Sequence, residues 1–173
     1  MSGHSLCRAA ALAAAMCLAA IRGESQEQAD HRGTWLSLHL GGASIGPLPA
    51  VELSHRQGIH GIALRGLMAV ELRLFTPSVR SFSEVGLLYG AHIDAGRALV
   101  ILRAGSSLYW YQEDDFGDRP RPRVGPRVGV PVEFQVVGSL GKNLGAGLGL
   151  LGDVNRTRSM WGVVFSIHLG DTR

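Results

Sequence analysis

Adjacent carboxylates at Asp114 and Asp115, beside Phe116, are the first residues to suggest chemistry, because two acids held together can act as an acid and base pair. They open the stretch Glu113–Pro126, acidic in its first half and an Arg-Pro alternation in its second, and a solvated loop accounts for them. Ser106 and Ser107 lack a G-x-S-x-G context, and no base is placed beside them by sequence. His39, His92 and His168 fall on one strand parity, and three imidazoles at one height would suit a metal. His39 is near the middle of its segment, whereas His92 and His168 are near segment ends, so no metal and no cofactor are expected. Gly147–Gly152 spells the dinucleotide fingerprint GxGxxG, which needs a helix after it. Asp153–Arg156 runs into a turn instead, and glycines on one parity read as space.

The basic residues exclude another class. The chain has 173 residues and a formal charge of +3, Lys142 is its single lysine, and its arginines are scattered, often beside Glu or Asp. A nucleic-acid surface needs clustered Lys and Arg with exposed aromatics, so no nucleic-acid partner is expected. The densest basic element is the alternation of Arg119, Arg121 and Arg123 with prolines, which suits phosphate contacts through guanidinium groups if that loop is exposed.

The elements that carry these residues read as strands. In Ser159–Leu169, Trp161, Val163, Phe165, Ile167 and Leu169 alternate with Gly162, Ser166 and His168, with Val164 as the single apolar exception. Such alternation marks a strand with one apolar face. The same pattern recurs near residues 34–44, 50–56, 60–72, 82–93, 97–112, 127–137 and 144–154, giving eight strands. Gly46-Pro47-Leu48-Pro49 reads as a turn, and Pro131 is expected to force a bulge or an unpaired position. The second, fourth and sixth connections are short, while the two longest lie among the others.

Ahead of the strands, Arg8 precedes an Ala/Leu run at 9–21, the layout of a secretory signal peptide. Cleavage is expected after Ser25, leaving a polar tether at 26–33 and a barrel at 34–170. Cys7 and Cys17 both lie in the leader, so the mature chain has no disulfide.

Alternation alone does not say which face is inside. The polar face is rich in glycine (Gly41, Gly86, Gly90, Gly105 and the Gly145, Gly147, Gly149 series) with isolated charges, which suits a cramped interior better than an open surface. Glu52, Arg65, Glu71, Glu84, Arg103 and Glu133 share inward parity and are expected to form a mutually neutralising network. The other face is apolar for about ten residues at a time, enough for a tilted strand to cross hydrocarbon. Trp35, Tyr89, Trp110, Phe116 and Trp161 lie near strand ends, where a membrane barrel keeps aromatic girdles.

The leader, the eight amphipathic strands, the cysteine-free mature chain and the ending Gly162-Val163-Val164-Phe165-Ser166-Ile167 resemble the small porin-like outer-membrane β-barrel proteins of Gram-negative bacteria. The resemblance implies an all-β, eight-stranded antiparallel up-and-down transmembrane barrel, exported to the bacterial outer membrane. It also implies a C-terminal assembly signal at Gly162, Phe165, Ile167 and Leu169, read by the barrel assembly machinery, although Gly170–Arg173 replaces a terminal aromatic. The expected role is non-enzymatic: membrane structure, surface interaction through the loops, or narrow permeation at most. Outer-membrane lipid and lipopolysaccharide are the expected partners, the latter through Arg119, Arg121 and Arg123, and the chain is expected to be a monomer. A soluble periplasmic or secreted barrel around a small apolar ligand is the alternative, followed by an outer-membrane lipid-modifying enzyme.

Overall fold

The structure is a computed structural model that describes residues 32–72, 78–115, 124–156 and 159–171; side chains at 71–79 and 113–124 lie outside the description. The leader and most of the tether, Phe116, Arg119, Arg121 and Arg123 therefore fall outside it.

Eight strands follow one another: β1 Arg32–Ala43, β2 Gly46–Gln57, β3 His60–Leu72, β4 Ser78–Ala95, β5 Ala98–Asp115, β6 Val124–Gly141, β7 Leu144–Val154 and β8 Met160–Gly170. Each pairs antiparallel with its neighbour, and β1 pairs with β8 from Trp35↔Gly170 to Ala43↔Gly162, closing the sheet into a barrel. Closure leaves no open sheet edge along most of the wall, so backbone donors and acceptors there are satisfied without solvent.

The period-two pattern becomes two faces. Leu38, Leu53, Leu64, Leu87, Leu148 and Val163 stand exposed on the outside, while Ser37, Glu52, Arg65, Glu84, Arg103 and Gln135 are buried in the lumen. The termini of the sheet share one end with the tight β2–β3, β4–β5 and β6–β7 turns, and the strand ends at Leu72, Ser78, Asp115 and Val124 share the other.

Several elements differ from expectation for identifiable reasons. Gly46–Pro49 is strand, with Gly42↔Pro47 and Leu40↔Pro49 in register, so the β1–β2 connection shrinks to Ser44 and Ile45. Pro47 and Pro49 share a parity, and the pairing of β2 with β3 starts only at Ala50↔Leu67, so their missing N–H groups fall on the side with no ladder. The backbone of Glu113, Asp114 and Asp115 continues β5, paired with Arg80, Val79 and Ser78, instead of opening a loop. Arg32 and Gly33 join β1 instead of the tether. Pro131 leaves the locally unpaired position expected of it: the β5–β6 register passes from Ala104↔Val132 to Ser107↔Gly129 without a pair between them. The register shift in that ladder lies nearer the rim, between Tyr109 and Tyr111.

Trp35 is not a girdle residue. It is 1% exposed and faces the lumen, edge-on to His92 at 5.5 Å and 6.0 Å from the Arg103 guanidinium carbon. Its position on the parity of Ser37 and His39 explains this. Tyr89 and Trp161 do face outward, at 57% and 51% exposure, toward opposite ends of the barrel.

Candidate functional site

An eight-stranded barrel has a lumen just wide enough for side chains to fill it, so any chemistry of the interior is done by groups already in contact. Arg65 and Glu52 face each other across the β2–β3 ladder, as do Arg103 and Glu133 across β5–β6. The short bonds do not follow those ladders. Arg103 Nη1 donates to Glu52 Oε1 at 2.8 Å and to Ser54 Oγ at 3.0 Å, while Ser54 Oγ donates to Glu52 Oε1 at 2.6 Å. Arg65 Nη2 donates to Glu84 Oε1 at 2.8 Å and to the Gly152 carbonyl at 3.2 Å. Glu133 sits between the two guanidiniums, 4.0 Å from Arg65 and 3.9 Å from Arg103.

Five of the six expected network residues thus meet in one buried cluster; the side chain of Glu71, whose backbone pairs with Arg80, lies outside the described residues. The opposite charges meet with both partners shielded from water, where an unpaired charge would cost several kcal/mol. Glycine provides the width. Gly86 stands opposite Arg65 and Gly90 opposite Arg103, and a Cβ at Gly86 would come within 2.8 Å of Glu84 Oε1.

Sequence reading missed how far this network extends. Gln135 donates its amide to Glu133, and Ser166 Oγ donates to Gln135 Oε1 at 3.3 Å. Ser166 also bonds His168 Nε2 at 2.8 Å, and Ser37 bonds His168 Nδ1 at 2.8 Å. Toward the long-connection end, Ser107 donates to Asp153, and Asn155 Nδ2 donates to Asp153 Oδ1 at 2.7 Å. At the turn end Arg56 clamps Asp94 with bonds of 3.0 and 2.6 Å. All of Ser37, Ser107, Gln135, Asp153 and Ser166 have inward parity, which is the signal the sequence offers: four are uncharged, and Asp153 stands at the end of β7 beside a turn.

The histidines are closer than their places along the strands suggested. His39 pairs with Ser166 and Ser37 with His168, which brings the His39 and His168 rings to 6.1 Å, edge to face. His92 lies apart, against Trp35. Gly61 makes its place: a Cβ there would fall inside the His92 ring. The Ser37–His168–Ser166 contact has the atoms of a nucleophile and base. All three are fully buried, however, so the arrangement positions side chains and offers no substrate cleft.

Two apolar clusters bracket the polar centre. Ile45, Leu48, Phe82, Tyr109, Leu151 and Met160 pack together on the long-connection side, with Phe82 and Tyr109 stacked at 5.5 Å. Trp35, Leu99, Ile101 and Val137 pack on the turn side. Val164, the apolar exception on the inward face of β8, belongs to the first cluster. Among the residues of the expected assembly signal, Phe165, Ile167 and Leu169 are exposed on the outer face. Gly162 faces inward, where a Cβ would come within 2.9 Å of Leu48 Cδ1. The fingerprint glycines lie on β7 and lead into a turn. Gly147 and Gly149 make room for Ser166 and Gln135.

No protein-family model matches the chain. No curated protein sequence matches it either. Solved structures do. Neisserial surface protein A (NspA) aligns with a TM-score of 0.56 at 13% identity, over 80% of this chain and 94% of that one. The N-terminal β-barrel domain of Pseudomonas aeruginosa OprF gives 0.56 at 8% identity over 80% and 96%. Ail, the attachment invasion locus protein of Yersinia pestis, gives 0.56 at 7% identity over 82% and 98%. At such identities the likeness is one of architecture, and with the closed β1–β8 sheet it establishes that this chain has the fold of the small eight-stranded outer-membrane β-barrels.

Proposed function

We propose that the protein is a non-enzymatic integral protein of the bacterial outer membrane, exported with cleavage of its leader, inserted by the barrel assembly machinery and working as a monomer. Its role is membrane-structural or surface-interacting, through the long connections at one end. The observation that carries the reading is the inversion of polarity. Leu40, Leu87, Leu148 and Val163 are 60–67% exposed on the outside, while Arg65 and Glu84 are 0% and 2% exposed within. Water would penalise that outer surface, whereas hydrocarbon would not.

A soluble barrel around an apolar ligand needs the leucine and valine face turned inward, and the opposite face is inward here. A diffusion channel needs an open lumen, and this one is filled by an ion-pair network between two apolar clusters. Lipopolysaccharide contacts by Arg119, Arg121 and Arg123 belong to the same proposal, since Asp115 and Val124, the strand ends on either side of them, lie away from the tight turns.

The test is fractionation of cells expressing the full chain, followed by gel electrophoresis of unheated and boiled samples. A membrane barrel is recovered in the outer-membrane fraction, and its unheated form migrates differently from the boiled form. Recovery in the soluble periplasm with a single mobility would overturn the reading.

A further inference from the structure

At the end of the barrel that carries the tight turns, the outer face of β1, β2 and β3 changes chemistry within a few residue steps. Leu36, Leu53 and Leu64 stand side by side across the ladders, with Leu87 beyond them on β4, and are 39–61% exposed. Two residues nearer the turns, the next row on the same face is Thr34, His55, Ile62 and Tyr89, and the row after it is Arg32, Gln57 and His60. All seven of these side chains are exposed.

Hydrogen bonds fix both imidazoles. Thr34 Oγ1 lies 2.8 Å from His55 Nδ1 and Tyr89 Oη 2.8 Å from His60 Nδ1, and the His60 and Tyr89 rings stack with centroids 5.8 Å apart. Each hydroxyl engages Nδ1, so Nε2 is the ring nitrogen left for an outside partner, and with the hydroxyl donating, Nε2 carries the proton. Gln57 stands at the centre of the group: Arg32 is opposite it on β1, His60 opposite it on β3, and His55 two residues along β2. Opposed side chains start about 5 Å apart, which lets a guanidinium, an amide and two imidazoles converge on one small anion. A guanidinium adds forked donors that match phosphate oxygens. At this end the outward positions of β1, β2, β3 and β4 hold no Asp or Glu among the described residues; Asp94 is turned to Arg56. Asp171, which follows β8 and donates its N–H to the Thr34 carbonyl, borders the group beyond β1 and is itself partnered.

We infer that this β1–β3 patch binds the phosphate of a glycerophospholipid, with Arg32, Gln57 and the Nε2 atoms of His55 and His60 on the phosphate oxygens and the adjoining leucine row against the acyl chains. The site rests on the membrane reading proposed above, in which tight turns face the periplasm and the donors stand where the apolar belt gives way to headgroups. The leucines decide between a lipid and a free phosphate, because they continue the donor rows on the same face. The patch lies at the opposite end of the barrel from Asp115 and Val124, the strand ends that flank Arg119, Arg121 and Arg123.

The test uses the full mature chain folded in dodecyl maltoside micelles, which contain no phosphate, with dioleoyl phosphatidylglycerol as probe. Dioleoylglycerol, which has the same chains and no phosphate, and glycerol phosphate, which has no chains, are the other arms. Lipid retained by the protein is counted by native mass spectrometry. Phosphatidylglycerol should be retained about tenfold over dioleoylglycerol, glycerol phosphate should not displace it, and Arg32→Gln with His60→Gln should remove the preference. Lys142→Gln, a cation lost from the β6–β7 turn at the same end, should leave the preference intact. Equal retention by the double variant and the parent overturns the assignment, as does an equal loss in Lys142→Gln, and displacement by glycerol phosphate overturns its lipid part. Heat-dependent gel mobility of every variant reports the barrel separately: a parent that fails it sinks the membrane reading and the patch with it, whereas a folded parent without lipid preference sinks only the patch.

Discussion

Arg103 faces Glu133 directly across the β5–β6 ladder, yet its short bond, 2.8 Å, reaches Glu52 on β2, while Glu133 remains 3.9 Å away. The pairing crosses the lumen because long side chains in a narrow barrel point toward the axis, where they meet the opposite wall. Arg103 therefore ties β5 to β2, two strands that share no ladder.

Loss of that tie should be costly. Arg103→Met leaves Glu52 and Ser54 without their guanidinium and is expected to lower the unfolding free energy by about 3–5 kcal/mol, as for other broken buried pairs. Glu133→Gln, which keeps the shape and an oxygen for the Gln135 amide and removes the charge facing the two more distant guanidiniums, should cost less than half as much. Urea unfolding of both variants in micelles measures this, and equal losses would show that Glu133 is the working partner.

The two neighbouring histidines should respond to different degrees. His168 serves two serines, so His168→Leu removes the bond to Ser37 and leaves Ser166 with Gln135 alone, and it is expected to cost about 1–3 kcal/mol. Neither ring nitrogen of His39 has a hydrogen-bond partner among the described residues, and His39→Leu should change stability by less than about 1 kcal/mol. The same unfolding measurement decides; a larger loss at His39 than at His168 contradicts the bond assignment.

On the outer face, Val163→Arg places a charge in the apolar belt of β8 and should cost about 2–4 kcal/mol of insertion near the midplane. The readout is the fraction of protein showing the unheated, folded mobility after assembly into lipid vesicles. An unchanged fraction would mean that Val163 does not meet hydrocarbon.

Trp161 lies over Gly152, its partner across β7–β8, and a Cβ at that glycine would come within 2.7 Å of the indole Cζ3. Gly152→Val should displace the ring and cost about 1–3 kcal/mol through overpacking. Quenching of tryptophan emission by lipids brominated at defined depths should shift in the variant. Unaltered quenching would place the indole elsewhere.

Much of this architecture was legible because β structure writes its faces with a period of two. Leu144, Ala146, Leu148 and Leu150 against Gly145, Gly147 and Gly149 give β7 its ends and its inward side without any tertiary information. The glycine-rich polar face also indicated which side was crowded. Less legible were positions where a residue type has two meanings. Pro47 and Pro49 signal a turn unless one side of the strand lacks a ladder, and Trp35 signals a girdle unless its parity is weighed above its chemistry.

What the sequence by itself determined was the set of strands, the face each residue occupies and the polarity of the two faces, since these depend on neighbours one and two residues away. What only the tertiary structure decided was partnership. The closure of β1 on β8 sets His39 beside His168, and the width of the lumen sends Arg103 to Glu52. Each depends on strand register and stagger around a closed wall, and a periodic pattern is unchanged by sliding a strand two residues along its neighbour.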